Sequence, residues 1–262
     1  MTSFKVVIPA RYASSRLPGK PLLELAGRPM IAHVCEQALQ AGAEAVVVAT
    51  DDERIGAAAE TAGVTAILTD AAHASGTERI QEVVRRMGWR EDEIVVNWQG
   101  DEPLLAPELV HHLAESLAGH PRAAMATLAT PATAEEVFSP HAVKVVMDHD
   151  GCALYFSRAP IPWCRDGFAQ SPPRVPDESH WRHIGVYAYR AGLLHRYVNW
   201  SPAPLEKVEA LEQLRVLWHG ERIFVVTVSH APEAGVDTPA DISRVADRLR
   251  ERETENANRG AR

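Results

Sequence analysis

The feature that most constrains this chain is an alternation in its first 120 or so residues. Phe4-Lys-Val-Val-Ile8 is a short β-branched run closed by Pro9. Pro29 to Ala41 then carries Met30, Val34 and Ala38 at helical spacing, with Pro29 suited to a first helical turn. Ala45-Val-Val-Val-Ala49 reads as a strand buried on both faces, and Asp51 or Asp52 can cap a helix running to about Gly63. Val64 to Leu68 and Glu93 to Trp98 are further strands, and Thr77 to Met87 and Pro107 to Leu117 further helices. Strands separated by helices imply parallel βαβ units, hence an α/β fold with helices on both faces of the sheet. Ligands of such sheets bind beyond the carboxyl ends of the strands. The segments after Ile8, Ala49, Leu68 and Trp98 are therefore where chemistry is expected.

Beyond residue 120 the pattern changes. Ala123 to Thr130, Val143 to Met147, Cys152 to Phe156, His183 to Tyr189 and Arg222 to Val228 look like strands, and Asp148-His-Asp-Gly151 like a hairpin turn. The proline-rich Arg158 to Trp181 reads as an extended arm. Leu205 to His219 reads as one helix with Val208, Leu211, Leu214 and Leu217 on its apolar face, and Pro239 to Glu251 as the last helix. We expect one domain over residues 1–252, with 1–130 and 222–252 as its core and 131–221 as a smaller lobe. The polar residues 253–262 are expected to be a disordered tail.

Among the 262 residues, 27 Lys and Arg against 35 Asp and Glu give a net charge of −8, which argues against binding a nucleic-acid backbone. Three scattered cysteines (Cys35, Cys152, Cys164) make neither a disulfide framework nor a metal site. No run approaches the ~20 apolar residues of a membrane span, and no secretory signal is visible, so a cytoplasmic location is expected.

The segment Pro9-Ala-Arg-Tyr-Ala-Ser-Ser-Arg-Leu-Pro-Gly-Lys-Pro21 follows the first strand directly. Arg11, Arg16 and Lys20 supply charge, and Ser14 and the backbone supply directional donors, as a phosphate chain requires. A merely solvated basic loop is the alternative. It is not a Walker A loop, because Pro21 stands where Ser or Thr is needed. Asn97-Trp-Gln-Gly-Asp-Glu-Pro103 ends another strand with two carboxylates, of which Asp101, after Gly100, is the better Mg²⁺ candidate. Asp237 in Gly235-Val-Asp-Thr-Pro239 is either a second ligand or a helix cap. Ser75 or Thr77 can cap the helix after Leu68, or Arg79 and the Gly76 backbone can face a ligand. Asp148 and Asp150 have the spacing of metal-dependent sugar transferases, but Gly151 favours a turn. Periodicity assigns no role to Arg158, His183, Tyr187, Glu212 or Gln213.

Read together, these segments resemble the CMP-KDO synthetases, the 3-deoxy-manno-octulosonate cytidylyltransferases. The resemblance rests on Val7 to Leu22, His73-Ala-Ser-Gly-Thr-Glu-Arg79, Asn97 to Pro103, Ala142-Val-Lys-Val-Val146 and Ala153-Leu-Tyr-Phe-Ser-Arg158. It continues through Arg182-His-Ile-Gly-Val-Tyr187, Leu211-Glu-Gln-Leu-Arg215 and Gly235 to Pro239, in order over about residues 4–250. It implies a Rossmann-like, mostly parallel sheet of the nucleotidyltransferase (GT-A-like) type, with a smaller mixed β lobe forming an arm for sugar binding and dimerisation. The implied reaction joins CTP and KDO into CMP-KDO and pyrophosphate, for lipopolysaccharide synthesis, in a homodimer. By the same resemblance Arg11, Ser14, Arg16 and Lys20 hold the triphosphate, and Ala10, Ser75, Arg79 and Gln99 belong to the nucleotide site. Asp101 and Asp237 bind Mg²⁺ and act with Lys20 in catalysis, while Arg158, His183, Tyr187, Glu212 and Gln213 line the sugar site. The stretch Cys164 to Trp181 departs from the family pattern. Three rivals stay open: a cytidylyltransferase for sialic acid or 8-amino-KDO, a glycosyltransferase using Asp148 and Asp150, and a non-catalytic nucleotide-binding protein.

Overall fold

The computed structural model describes residues 2–13, 17–176 and 179–260. In chain order the elements are β1 (Phe4–Ala10), a 3-10 turn (Lys20–Leu22), the short pair β2 (Glu24–Leu25) and β3 (Arg28–Pro29), α1 (Met30–Gln40), β4 (Ala45–Thr50), α2 (Glu53–Thr61), β5 (Thr65–Leu68), α3 (Gly76–Met87), β6 (Ile94–Asn97) and α4 (Pro107–Gly119). There follow β7 (Met125–Pro131), α5 (Ala134–Phe138), β8 (Lys144–Met147), β9 (Ala153–Ser157), β10 (Trp181–Arg190), α6 (Ala191–Tyr197), α7 (Pro204–Glu209), α8 (Gln213–Trp218), β11 (Ile223–Thr227) and α9 (Pro239–Gly260).

The chain forms two compact units. The first comprises residues 3–112 and 232–262, the second residues 113–231. The expected boundaries, 130/131 and 221/222, are displaced outward. The reason is pairing: β11 runs parallel to β7 and β7 antiparallel to β10, so the strands expected to close the first core build the second unit instead.

In the first unit β6, β1, β4 and β5 lie side by side and all parallel. Phe4, Val6, Val7, Ile8, Val48 and Val96 are fully buried, as strands covered on both faces must be. Burial of each such side chain contributes about 1.5–3 kcal/mol. In the second unit β8 pairs with β10 and with β9, all antiparallel, and Asp148–Gly151 forms the expected hairpin turn. The arm packs: Phe168 is buried, with the rings of Phe138 and Trp163 at 4.9 and 5.0 Å.

One expectation is corrected. The stretch Leu205 to His219 is not one helix but two, broken at Ala210, whose φ of 52° is left-handed. The break turns Val208 to solvent at 85% exposure while Leu211 and Leu214 stay buried. The last helix, α9, runs on to Gly260, into the stretch expected to be a tail. Buried Val245, Ala246 and Leu249 dock its first half, and Arg252 donates to the Leu104 carbonyl at 3.0 Å and meets Glu233 at 2.9 Å. Once docked, a polar helix propagates cheaply, helped by i,i+3 pairs such as Arg248–Glu251. Among the described residues no helix is long and apolar enough to cross a membrane, and the three cysteines are free.

Candidate active site

Three sequence-distant segments meet at the carboxyl edge of the first unit's sheet. Gly100 lets the turn after β6 lie on the end of β1: a Cβ there would stand 2.9 Å from the Pro9 carbonyl oxygen. Gly235 does the same for the chain before α9, where a Cβ would fall 2.2 Å from the Asp101 carbonyl oxygen and 2.9 Å from the Glu102 carboxylate. The Val236 N–H donates to that Asp101 oxygen at 3.0 Å. These close approaches bring the side chains of Asp101 and Asp237 to one cation. The Lys20 ammonium donates to Asp101 Oδ2 at 2.5 Å and to Asp237 Oδ1 at 3.5 Å. Lys20 is itself almost buried, held in the 3-10 turn behind Gly19.

At Asp237 the start of α9 is served by a nearby carboxylate. Asp241 Oδ2 accepts from the backbone N–H groups of Asp237 and Thr238 at 3.1 and 2.8 Å and from the Thr238 hydroxyl at 2.8 Å. Asp241 serves the helix start, and the Asp237 carboxylate turns toward Lys20. Glu102 completes the acidic side. Loss of water, and then the Asp101 and Asp237 charges, push its carboxyl up to about 8.

Asp101 and Asp237 flank one cation position with hard oxygen donors. Among the described residues no group of three or more acidic, histidine or cysteine side chains is placed to hold a metal. Two carboxylates, with phosphate oxygens and water for the remaining positions, is the manner in which Mg²⁺ is usually held, so the donor set fits it.

The other nucleotide-side residues fall into groups. Ala10 is buried and Arg11 exposed at the end of β1, and Gln99 sits in the turn after β6. Ser14 and Arg16 lie outside the described residues. Ser75 caps α3, its hydroxyl accepting from Glu78 N–H at 3.2 Å. Arg79 is 3% exposed and paired with Asp51 at 3.1 Å. Asp148 builds its turn, with Oδ1 accepting from the Asp150 and Cys152 N–H groups and Oδ2 paired with Arg222 at 2.7 Å.

In the second unit the polar candidates are held by neutral contacts. His183 is deeply buried, and burial lowers its pKa to about 3, so the ring is neutral. Thr127 Oγ1 lies 2.9 Å from His183 Nε2, 3.1 Å from the Ile184 carbonyl and 2.9 Å from the Val186 carbonyl. The hydroxyl proton goes to a carbonyl, so Nε2–H donates and Nδ1 is left as an acceptor. Tyr187, 5.6 Å from His183 between ring centroids, has its pKa raised by burial and stays a phenol. The break at Ala210 sets Glu212 at the N-cap of α8 and buries Gln213 at 4% exposure, where its Nε2 has no partner among the described residues. A buried donor left unpaired costs about 1–3 kcal/mol, which a ligand hydroxyl would recover.

Arg158 is positioned by two side chains, Glu209 and Lys144. Glu209 accepts from the Arg158 N–H at 3.0 Å and from the Ser157 hydroxyl at 2.6 Å, while Arg158 Nε donates to the Glu209 carbonyl at 2.8 Å. Lys144, fully buried, donates to the carbonyls of Ser139, Ala142 and Arg158 at 2.7, 2.5 and 2.7 Å. A lysine inside the apolar run Val143 to Met147 was the available clue to the second.

A cytidylyltransferase family profile matches residues 5–223. The 3-deoxy-manno-octulosonate cytidylyltransferase of Yersinia enterocolitica is 57% identical over 244 residues, covering 93% of this chain and 97% of the relative. That of Methylococcus capsulatus is 58% identical over 243 residues, covering 92% and 95%. The chain belongs to the 3-deoxy-manno-octulosonate cytidylyltransferases. Its fold agrees: a solved CMP:2-keto-3-deoxy-manno-octonic acid synthetase complexed with CTP superposes with a TM-score of 0.86 at 42% identity, covering 95% of this chain and 100% of that one.

Proposed function

We propose that this protein transfers CMP from CTP to the anomeric hydroxyl of 3-deoxy-D-manno-octulosonate, releasing pyrophosphate, with Mg²⁺ held by Asp101 and Asp237. The observation that carries the reading is the Lys20 ammonium set between Asp101 and Asp237, at 2.5 and 3.5 Å, beside the loop that leaves β1. Family membership supports the substrates.

The difficulty of the reaction is charge. The sugar brings a carboxylate to a triphosphate of about four negative charges, and two anions repel steeply where water is excluded. Arg11, Arg16 and Lys20 neutralise the β- and γ-phosphates, where charge builds as pyrophosphate leaves. Mg²⁺ between the two aspartates would supply Lewis-acid charge at the α-phosphate and the attacking hydroxyl. Arg158 pairs with the sugar carboxylate. The neutral His183 and Tyr187 and the unpaired amide of Gln213 take its hydroxyls, and Glu212 contributes an acceptor. Working as a homodimer in the cytoplasm, where CTP is made, the enzyme would supply activated sugar for lipopolysaccharide.

Pyrophosphate release from CTP and Mg²⁺, with and without 3-deoxy-D-manno-octulosonate, tests the reaction. We expect release only with the sugar, loss on adding EDTA, and weaker use of sialic acid and 8-amino-KDO. Release from a nucleotide sugar instead would overturn it.

A further inference from the structure

Beside the loop that leaves β1, Arg79 and Asp51 form an ion pair to which the reaction gives no role. Arg79 projects from α3 and is 3% exposed. Its guanidinium donates to the Thr69 hydroxyl and, at 3.1 Å, to Asp51 Oδ2. The other oxygen of Asp51 accepts the Tyr12 N–H at 3.0 Å. Tyr12 is the neck of the loop, because its carbonyl receives the Gly19 N–H at 3.0 Å and draws the two ends together. Its ring lies against Gly19, where a Cβ would stand 3.1 Å away, and beneath the Arg54 guanidinium at 4.1 Å. Arg11 immediately precedes this neck and Lys20 immediately follows it.

A carboxylate beside a triphosphate loop weakens anion binding unless its charge is cancelled and its hydrogen bond is worth more than its repulsion. Asp51 meets both conditions: Arg79 neutralises it from behind, and its free oxygen takes the neck amide. We propose that Asp51 and Arg79 are a positioning pair, a neutral strut that fixes the Tyr12–Gly19 neck and so the placement of Arg11 and Lys20, with neither side chain touching the nucleotide. The proposal rests on the reading that this loop holds the triphosphate.

The strut and a charge-only role differ in sign. Removing a carboxylate near the phosphates strengthens CTP binding if Asp51 acts through its charge alone, and weakens it if Asp51 positions the loop. For Asp51→Ala and Arg79→Met we expect KM for CTP to rise about tenfold or more, KM for the sugar to stay within about twofold, and the double variant to lose no more than the worse single, since both act through one link. Without nucleotide, trypsin should cut the Arg11–Tyr12 bond faster in both variants, because the amide of that bond is the one Asp51 holds, while other sites are cut at the wild-type rate. Should either substitution fail to fold, Asp51→Asn keeps an acceptor for Tyr12 and loses only the ionic half of the strut, and it should show the same changes at smaller size. Tighter CTP binding in the Asp51 variants, or wild-type cleavage at Arg11–Tyr12 in all of them, overturns the strut. Failure of CTP to protect that bond in the wild-type protein would instead count against the loop as the triphosphate site.

Discussion

The two units arrange their polar side chains in opposite ways. In the first, charges are gathered: Lys20, Asp101, Asp237 and Glu102 lie within one cluster, and the aspartates stay partly open to water. In the second, charge is largely avoided. His183 is neutral, Tyr187 is a phenol, and Gln213 offers an uncharged amide. The second unit's buried cation, Lys144, is spent on three backbone carbonyls; the exception is the Arg158 guanidinium, which donates to the Glu209 and Pro140 carbonyls. A triphosphate is defined by its charge, which strong fields handle well. A sugar is defined by the directions of its hydroxyls, which rigid neutral donors and acceptors read with less desolvation cost.

The largest effect should come from the charged side. Asp101→Asn removes one arm of the cation site, and turnover should fall by at least about 10²–10³-fold. Circular dichroism and thermal unfolding should change little, because the Asp101 carboxylate is partly exposed. Near-normal turnover at saturating Mg²⁺ would show that the first unit does not work through gathered charge. Asp237→Asn should resemble it in turnover. Its stability should be unaffected, since Asp241 serves the start of α9, and it is Asp241→Ala that should lose about 1 kcal/mol in denaturant unfolding.

Lys20→Met comes next. It should weaken use of CTP more than use of the sugar, read as KM for each at saturation of the other. The same variant should bind Mn²⁺ more tightly in the absence of nucleotide, because the ammonium no longer sits between the two carboxylates. Equal losses for both substrates would remove Lys20 from the triphosphate side of the comparison.

The neutral side makes a pH prediction. The folded pKa of His183 is about 3, against 6.5 for an unperturbed imidazole. As pH falls below 6.5 the unfolded chain gains a proton that the folded chain refuses, so stability drops by about 1.4 kcal/mol per pH unit until the folded pKa is approached. His183→Gln should flatten the fall in unfolding midpoint between pH 7.5 and 5 relative to wild type. The difference isolates this residue from His33, whose pKa is also lowered by burial. Identical slopes would show that His183 is not buried neutral.

How much of this could be read from the chain alone differs between the units for a physical reason. β1, β4, β5 and β6 are legible because a strand covered on both faces must be apolar almost throughout, and Gly100 and Gly235 mark close approaches that no other residue permits. The meeting of Asp101 and Lys20 at the ends of β6 and β1 is accordingly legible by position. Asp51 and Glu209 are not, since each acts by accepting a backbone N–H from a residue far along the chain, Tyr12 and Arg158 respectively. Arg79 illustrates the limit most clearly: its residue type and its place after a strand suggest a phosphate contact, and nothing in the chain marks Asp51 as its partner. Among the polar residues of the second unit, the neutrality of His183 comes from the packing around it and leaves no trace in its spacing.

The smallest effect tests the one backbone feature on which the second unit's polar side depends. Periodicity runs straight through Val208, Leu211 and Leu214, yet the helix breaks, and Ala210 takes a φ of 52°. A left-handed alanine costs about 1–2 kcal/mol that glycine does not incur, though glycine gives part of that back in unfolded-chain entropy. Ala210→Gly should therefore stabilise the protein by a few tenths to about 1 kcal/mol, read from the urea midpoint, with sugar use unchanged. Had the continuous helix been correct, the same substitution would cost about 1 kcal/mol, because glycine is then placed in a helix interior. The sign alone decides whether Glu212 and Gln213 owe their placement to a break in the backbone or to the face of a single helix.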